Sequence, residues 1–307
     1  MRRMKRVLVL GTLVTVGALS VAVAAVQQPG DKQKLIEVEK LGDNLFVLRG
    51  GGGNTGVFIT SNGVVVVDSK NPGWGQPLLD KIKELTPNPV THLINTHTHF
   101  DHVSGNVEFP TTVEVIAHEN TAALMKEMRT VSGFQPQAGN IFTENKGRGL
   151  PKRTFKDTLS IGTGPDQVEL HYFGRGHTSG DAWVVFPALR VVHAGDIFPG
   201  KNIPILDANN GGSGLEMGDT LAKAAAGLKN VDTIITGHST QMTLADLRQY
   251  AQFNRDFANA VREGKKAGRS IEEIAKSWTI PAAYTGYSAA QAARLLVNVQ
   301  VVFSEIK

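Results

Sequence analysis

Three imidazoles and a carboxylate fall within six consecutive positions, His97-Thr98-His99-Phe100-Asp101-His102. The apolar stretch before them, His92-Leu93-Ile94-Asn95, reads as the end of a buried strand. Such a strand would deliver the cluster to a loop and aim its nitrogens and oxygens at one point. Polar groups gathered that way are costly to bury without a partner. A divalent cation is the partner they suit, because imidazole with carboxylate favours zinc, and also iron or manganese, over calcium. The chain has nine histidines and no cysteine, so any metal site must be built from His, Asp and Glu.

Three further segments carry the same ligand types. Gly174-Arg175-Gly176-His177-Thr178-Ser179-Gly180-Asp181 sets a histidine among glycines, which let the backbone approach closely. His193-Ala194-Gly195-Asp196 ends an apolar run on a carboxylate, and Thr236-Gly237-His238-Ser239 follows Ile234-Ile235. With the first cluster these give five histidines and two aspartates, enough for two metal ions.

Positioning so many ligands requires strands that stop at one edge. Strands are expected over 35–41, 45–49, 56–60 and 64–68, separated by the turn residues Gly42-Asp43-Asn44 and Ser61-Asn62-Gly63. The run Val64-Val65-Val66-Val67 is buried on both faces, as in an internal strand, and Asp68 after it either caps the turn or orients a ligand histidine. A helix over 76–85 presents Leu78, Leu79, Ile82 and Leu85 on one face. A strand over 113–117 and a helix over 119–129 follow. Residues 131–153 are polar and glycine-rich, a surface excursion or lid. A second series of strands comprises 168–173, 183–186, 189–193 and 231–236, with Leu159 in a shorter one. Helices are expected over 215–228, 244–264, 270–277 and 288–303. Two halves with strands first and helices interleaved imply an α/β (α+β) fold, two mixed sheets packed face to face with helices outside.

Residues 1–24 stand apart from this pattern. Met1-Arg2-Arg3-Met4-Lys5-Arg6 is basic, an apolar run follows, and Ala22-Val23-Ala24 supplies a small-x-small cleavage site. This is the composition of a secretory signal peptide cut near Ala24, leaving one domain over 25–307 in the periplasm or outside the cell, with no stable membrane association. The four cations Arg2, Arg3, Lys5 and Arg6 account for all of the formal net charge of +4. The remainder is near neutral, which argues against a nucleic-acid partner and leaves a small-molecule substrate. Oligomeric state is not encoded in any feature of the sequence.

The ordered motifs His-x-His-x-Asp-His, Gly-His-Thr, Gly-Asp and Gly-His resemble those of the metallo-β-lactamase superfamily over nearly the whole chain after the leader. The resemblance implies a four-layer αββα sandwich with the site at one edge of the sheets. It implies that His97, His99 and His177 hold one zinc, that Asp101, His102 and His238 hold a second, and that Asp196 bridges them. Two such ions share a water, lower its pKa to about 7 and supply a hydroxide that attacks a carbonyl or phosphoryl centre. Asp101 then orients that nucleophile and carries its proton. An acyl bond is the expected target, a β-lactam first and a lactone or thioester next, with phosphodiester hydrolysis as the competing class. The non-enzymatic alternative is a periplasmic zinc-binding protein.

Lesser candidates are Lys201, placed to meet a substrate carboxylate or simply exposed, and the loop Asp207-Ala208-Asn209-Asn210-Gly211-Gly212-Ser213-Gly214, which should shape the pocket edge. The glycine run 50–53 lacks the Lys-Ser/Thr of a phosphate loop and reads as a mobile hairpin tip. His92, His118, His171 and His193 match no motif and are expected to be structural.

Overall fold

A computed structural model describes residues 34–136, 139–288 and 291–307; the leader at 1–24 lies outside them. Residues 34–307 form one unit. The first sheet has seven strands in the order β1 (Glu37–Lys40), β2 (Leu45–Arg49), β3 (Thr55–Thr60), β4 (Gly63–Val67), β5 (Val90–Asn95), β6 (Glu114–His118) and β7 (Arg153–Phe155). Its β1–β4 half is antiparallel and its β4–β7 half parallel. The second sheet runs β12 (Thr233–Thr236), β11 (Val191–Gly195), β10 (Ala182–Phe186), β9 (Val168–Tyr172), β8 (Thr158–Ile161). Only its β11–β12 pair is parallel.

Three apolar cores make this a four-layer sandwich. Val47, Phe58, Val65, Val67 and Ile94 of the first sheet pack against Leu170, Val184, Phe186 and Ile235 of the second. Alternate residues of the first sheet, Val57, Val64, Val66 and Leu93, meet Leu78, Leu79 and Ile82 of helix α1 (Gly75–Leu85) on the outer face. The alternation follows from the two-residue period of a strand, and β4 carries valine on both faces because both are covered. The outer face of the second sheet, with Trp183, Val185, Val192 and Ile234, is covered by three helices. These are α5 (Gly214–Gly227), α6 (Leu244–Lys266) and α8 (Ala292–Glu305), with α7 (Ile271–Ser277) beside them. The expected αββα architecture is therefore the one observed.

The short helices α2 (Phe100–Val103), α3 (Glu119–Glu127) and α4 (Ile141–Glu144) connect β5, β6 and β7 of the first sheet. The 131–153 segment is not a detached lid: α4 lies within it, and its Phe142 is buried with Val103, Val107 and Met125. The C-terminal helix begins at Ala292 rather than 288, and β7 is an edge strand the sequence pattern does not mark. Among the described residues, no helix is long and apolar enough to cross a membrane.

Candidate metal centre

Four chain segments reach one edge of the sandwich from the C-terminal ends of β5, β9, β11 and β12. They bring all seven sequence-predicted residues together. Ligand atoms of His97, His99, His177 and Asp196 lie within 4.8 Å of one another, and so do those of Asp101, His102 and His238. Asp196 stands between the two groups. Its Oδ2 is 3.9 Å from His97 Nε2, 3.8 Å from His177 Nε2 and 3.2 Å from His238 Nε2, and its Oδ1 is 3.2 Å from His102 Nε2.

Hydrogen bonds behind four of the histidines decide which ring nitrogen faces the centre with a lone pair. His102 Nδ1–H donates to Asp68 Oδ2 at 2.7 Å, His99 Nε2–H to Asp207 Oδ2 at 2.7 Å, and His177 Nδ1–H to the Ile205 carbonyl at 2.6 Å. Thr96 Oγ1 spends its only proton on Asp68 Oδ2, so at 2.9 Å it accepts from His97 Nδ1–H. Each partner therefore points the opposite nitrogen inward, where it offers a lone pair whenever the ring is neutral. His99 Nδ1 and His177 Nε2 face each other in this state at 3.0 Å. His97 Nε2 and Asp196 Oδ1 are buried and make no hydrogen bond.

Lone pairs and carboxylate oxygens converging on each other repel unless a cation lies among them. Zinc–nitrogen bonds of about 2.0–2.1 Å in a tetrahedron set neighbouring ligand atoms about 3.3 Å apart. The observed separations bracket that value: 3.3 Å for His102 Nε2 to His238 Nε2, 3.2 Å for His238 Nε2 to Asp101 Oδ2, and 3.6 Å for His102 Nε2 to Asp101 Oδ2. The donor set and its spacing thus fit divalent metal binding.

Proton affinities around the centre carry the same signature. Burial opposes protonation of His102 and His238, yet the carboxylates outweigh it: Asp196, Asp101 and Asp68 hold His102 well above its usual range, and Asp196 and Asp101 raise His238 to about 9. The negative field that attracts a proton here attracts a metal ion equally. Burial, reinforced by neighbouring imidazoles, pushes His97 well down and His177 to about 4, so both are neutral ligands at neutral pH.

Close backbone approach is needed at two glycines. A Cβ on Gly53 would fall 2.1 Å from His102 Cε1, and one on Gly237 would fall 1.8 Å from Asp196 Oδ1. The 50–53 run is therefore no free hairpin tip but packs onto the His102 ring, and Lys70 pins it. The buried Lys70 ammonium donates to the Leu48 and Gly53 carbonyls at 2.9 Å each. Asp68 and Lys70 hold positive φ values of 65° and 73°, a bend that turns the end of β4 around His102. Ser69 completes the wrap by donating from its backbone N–H to the His102 carbonyl at 2.7 Å.

Other candidates are resolved by their contacts. Asp68 accepts from His102 and so orients its ring rather than only capping the turn. Lys201 pairs with Asp246 at 2.7 Å and does not line the cavity above the centre. His193 donates from Nε2–H to the Asn54 carbonyl and accepts at Nδ1 from the Gly195 N–H, and burial lowers it to about 4. His118 caps α3, while His92 and His171 lie beside Glu114 and Glu169. Sequence reasoning missed Thr96 and Asp207 as orienting groups. Asp207 stands in a turn-like Asp-Ala-Asn-Asn-Gly-Gly stretch whose composition marks a turn and not an orienting group.

The model of the metallo-beta-lactamase superfamily matches residues 48–238, a span that includes all seven residues of the centre. The chain belongs to this superfamily. It is 27% identical over 180 residues to a metallo-beta-lactamase type 2 of Elizabethkingia meningoseptica, covering 55% of this chain and 64% of the relative, just under two thirds. A metallo-beta-lactamase type 2 of Bacillus cereus is 22% identical over 214 residues, covering 66% and 76%. Among solved structures, a metallo-beta-lactamase from Pontibacter korlensis superposes with a TM-score of 0.59 at 19% identity, over 72% of this chain and all of that one. A stereoselective inverting sec-alkylsulfatase from Pseudomonas sp. gives 0.67 at 16% identity, over 89% of this chain and 50% of that one. These likenesses establish a shared fold. With the superfamily comes a metal-dependent hydrolase.

Proposed function

We propose that this protein is a two-metal hydrolase of acyl bonds in small molecules, with zinc at both positions and iron or manganese as the alternatives. The observation that carries the reading is the set of inward-facing lone pairs, fixed by Thr96, Asp68, Asp207 and the Ile205 carbonyl, at the floor of a cavity of about 340 Å³. His97, His99 and His177 would hold one ion, Asp101, His102 and His238 the other, and Asp196 both. Two ions bound there would supply an activated water and would polarise the oxygen of the scissile bond.

The chain's own contribution is orientation and proton handling. Asp101 borders the cavity; burial opposes its ionisation, but His102 and His238 outweigh that and keep its carboxyl below the usual range. An ionised Asp101 accepts the proton of the attacking water and returns it to the leaving atom. His99 and His177 are held from behind by Asp207 and the Ile205 carbonyl, so this part of the floor does not rearrange as charge develops on the acyl oxygen.

A β-lactam is the first substrate to test, supported by the names of the relatives; a lactone is the second, supported by a cavity wall without a cationic side chain. The leader composition supports export, with cleavage near Ala24 and a single domain over 25–307; N-terminal sequencing of the exported protein tests this. The function test is hydrolysis of a chromogenic cephalosporin, an acyl lactone and bis-nitrophenyl phosphate by the zinc-loaded protein, beside His97→Ala. Turnover of either acyl substrate, lost in the variant, is expected. Turnover of the phosphate alone would overturn the acyl assignment, and silence on all three with metals bound would favour a zinc-binding protein without catalysis.

A further inference from the structure

Beyond the metal centre, the cavity wall is built from apolar side chains: Phe100, Val131, Phe134, Pro199, Ile203 and Ile205. The remaining lining side chain outside the centre is the uncharged amide of Asn202. Two cations that adjoin wall residues, Lys201 beside Asn202 and Arg294 over Phe134, are committed elsewhere. Lys201 is paired with Asp246, and Arg294 donates to the Ser132 carbonyl at 2.9 Å with its guanidinium 4.8 Å from the Phe134 ring. An anionic substituent entering this cavity would lose its hydration and find no counter-charge on the wall.

The wall is also tied to the metal centre by a short covalent and hydrogen-bonded path. Val131 and Phe134 flank Ser132, whose N–H and hydroxyl both donate to Asp207 Oδ1 at 2.9 Å. The other oxygen of the same carboxylate accepts from His99. One aspartate thus fixes the apolar wall and a metal-facing imidazole to each other. Phe134 is 47% exposed, a costly placement for a large apolar ring unless something covers it, and Arg294 supports it from behind.

We propose that Val131, Phe134 and Ile203 form a subsite for an uncharged, apolar acyl or alkyl chain, so that the natural substrate carries such a chain beside its scissile bond. This rests on the metal-hydrolase reading above and narrows its substrate class. The chain lies along the wall while the scissile carbonyl reaches the floor between His99, His177 and Asp196. Removing such a chain from water contributes affinity in proportion to its length until the wall is covered.

The test uses full-length metal-loaded protein and linear alkyl hydroxamates from acetyl to octanoyl, with binding measured by calorimetry. The hydroxamate addresses the metals and the tail addresses the wall, so no turnover is needed. Affinity is expected to rise by about two- to fourfold per methylene. A tail of equal length ending in a carboxylate should bind at least tenfold more weakly. Phe134→Ser should flatten the length dependence, and Phe134→Leu should restore most of it. Length-independent binding, equal binding of the charged tail, or an unaltered slope in Phe134→Ser would each overturn the subsite and leave the metal reading intact. Failure of every hydroxamate to bind the loaded protein would overturn the metal-hydrolase reading and the subsite with it.

Discussion

Asp207 accepts a hydrogen bond from His99 at 2.7 Å although the two residues lie 108 positions apart, and Asp207 is itself held by Ser132 and Asn210. Burial raises the cost of its negative charge, but His99 together with the hydrogen bonds from Ser132 and Asn210 outweighs this and drives its pKa far down. An ionised carboxylate can only accept, so Asp207 fixes the tautomer of His99 as well as its ring plane.

Asp207→Ala should therefore free the His99 ring and weaken metal binding by about 10- to 100-fold, the usual consequence of losing a group that orients a ligand. Competition with a chromophoric chelator measures this directly. Asp207→Asn tests the tautomer, since an amide can turn its N–H₂ toward His99 and hold the wrong nitrogen. Wild-type affinity in both variants would show that Asp207 serves only the loop.

Gly53→Ala should damage one metal position selectively. The added methyl would overlap the His102 ring, and the backbone cannot retreat because Lys70 holds the Gly53 carbonyl. We expect the variant to fold and to bind about one fewer ion per chain by elemental analysis. Full occupancy with unchanged hydrolysis would mean that the 50–53 run yields more readily than its contacts imply.

The legible part of this protein was the part in which chemistry is written contiguously. The 97–102 cluster, and the Gly-His and Gly-Asp turns, stand next to apolar runs that really are β5, β11 and β12. Their convergence at one sheet edge could thus be read before the fold was known. Asp207 could not, because a lone aspartate before Asn-Asn-Gly-Gly has the composition of an ordinary turn, and its partner His99 is distant in sequence. Lys201 was ambiguous for a related reason: only the fold brings Asp246 to it. β7 is an edge element with Arg153 and Thr154 exposed, so it does not show the apolar pattern of an internal strand, whereas β8, with Leu159, was expected.

Asp181 should give the metal-free protein a distinctive pH dependence. It is fully buried, accepts from the Thr178 N–H and hydroxyl, and burial pushes its carboxyl up to about 7. In the unfolded chain an aspartate titrates near 3.9. From about pH 4 to about pH 7 the unfolded chain releases a proton that the folded chain keeps. The stability contributed by neutral Asp181 is therefore complete below about pH 4 and lost as pH rises through about 7. Asp181→Asn lacks this loss, so wild type should fall relative to the variant across the window. The fall is on the order of 4 kcal/mol at most, at about 1.4 kcal/mol per pKa unit. Urea titrations of both proteins in chelator, at half-unit steps, measure it. A constant difference would mean that Asp181 is ionised throughout.

Asp196→Ala addresses the residue placed between the two groups of ligands. One of its oxygens faces His97, His177 and His238, and the other faces His102. Removing a ligand shared by two ions should weaken both, so the variant should retain at most one metal per chain and lose about 100-fold or more in hydrolysis. Thermal unfolding supplies a readout independent of turnover. At a free metal concentration 100 times its dissociation constant, each occupied site stabilises the folded chain by about 2.7 kcal/mol. For a protein of this size that amounts to a rise of about 5–10 °C in Tm per site. Chelation should reverse the whole shift in wild type and much less in Asp196→Ala, which begins with little to lose. Two metals per chain, a wild-type shift and undiminished activity in the variant would together show that each ion is held without Asp196, and that the two ligand groups are independent sites.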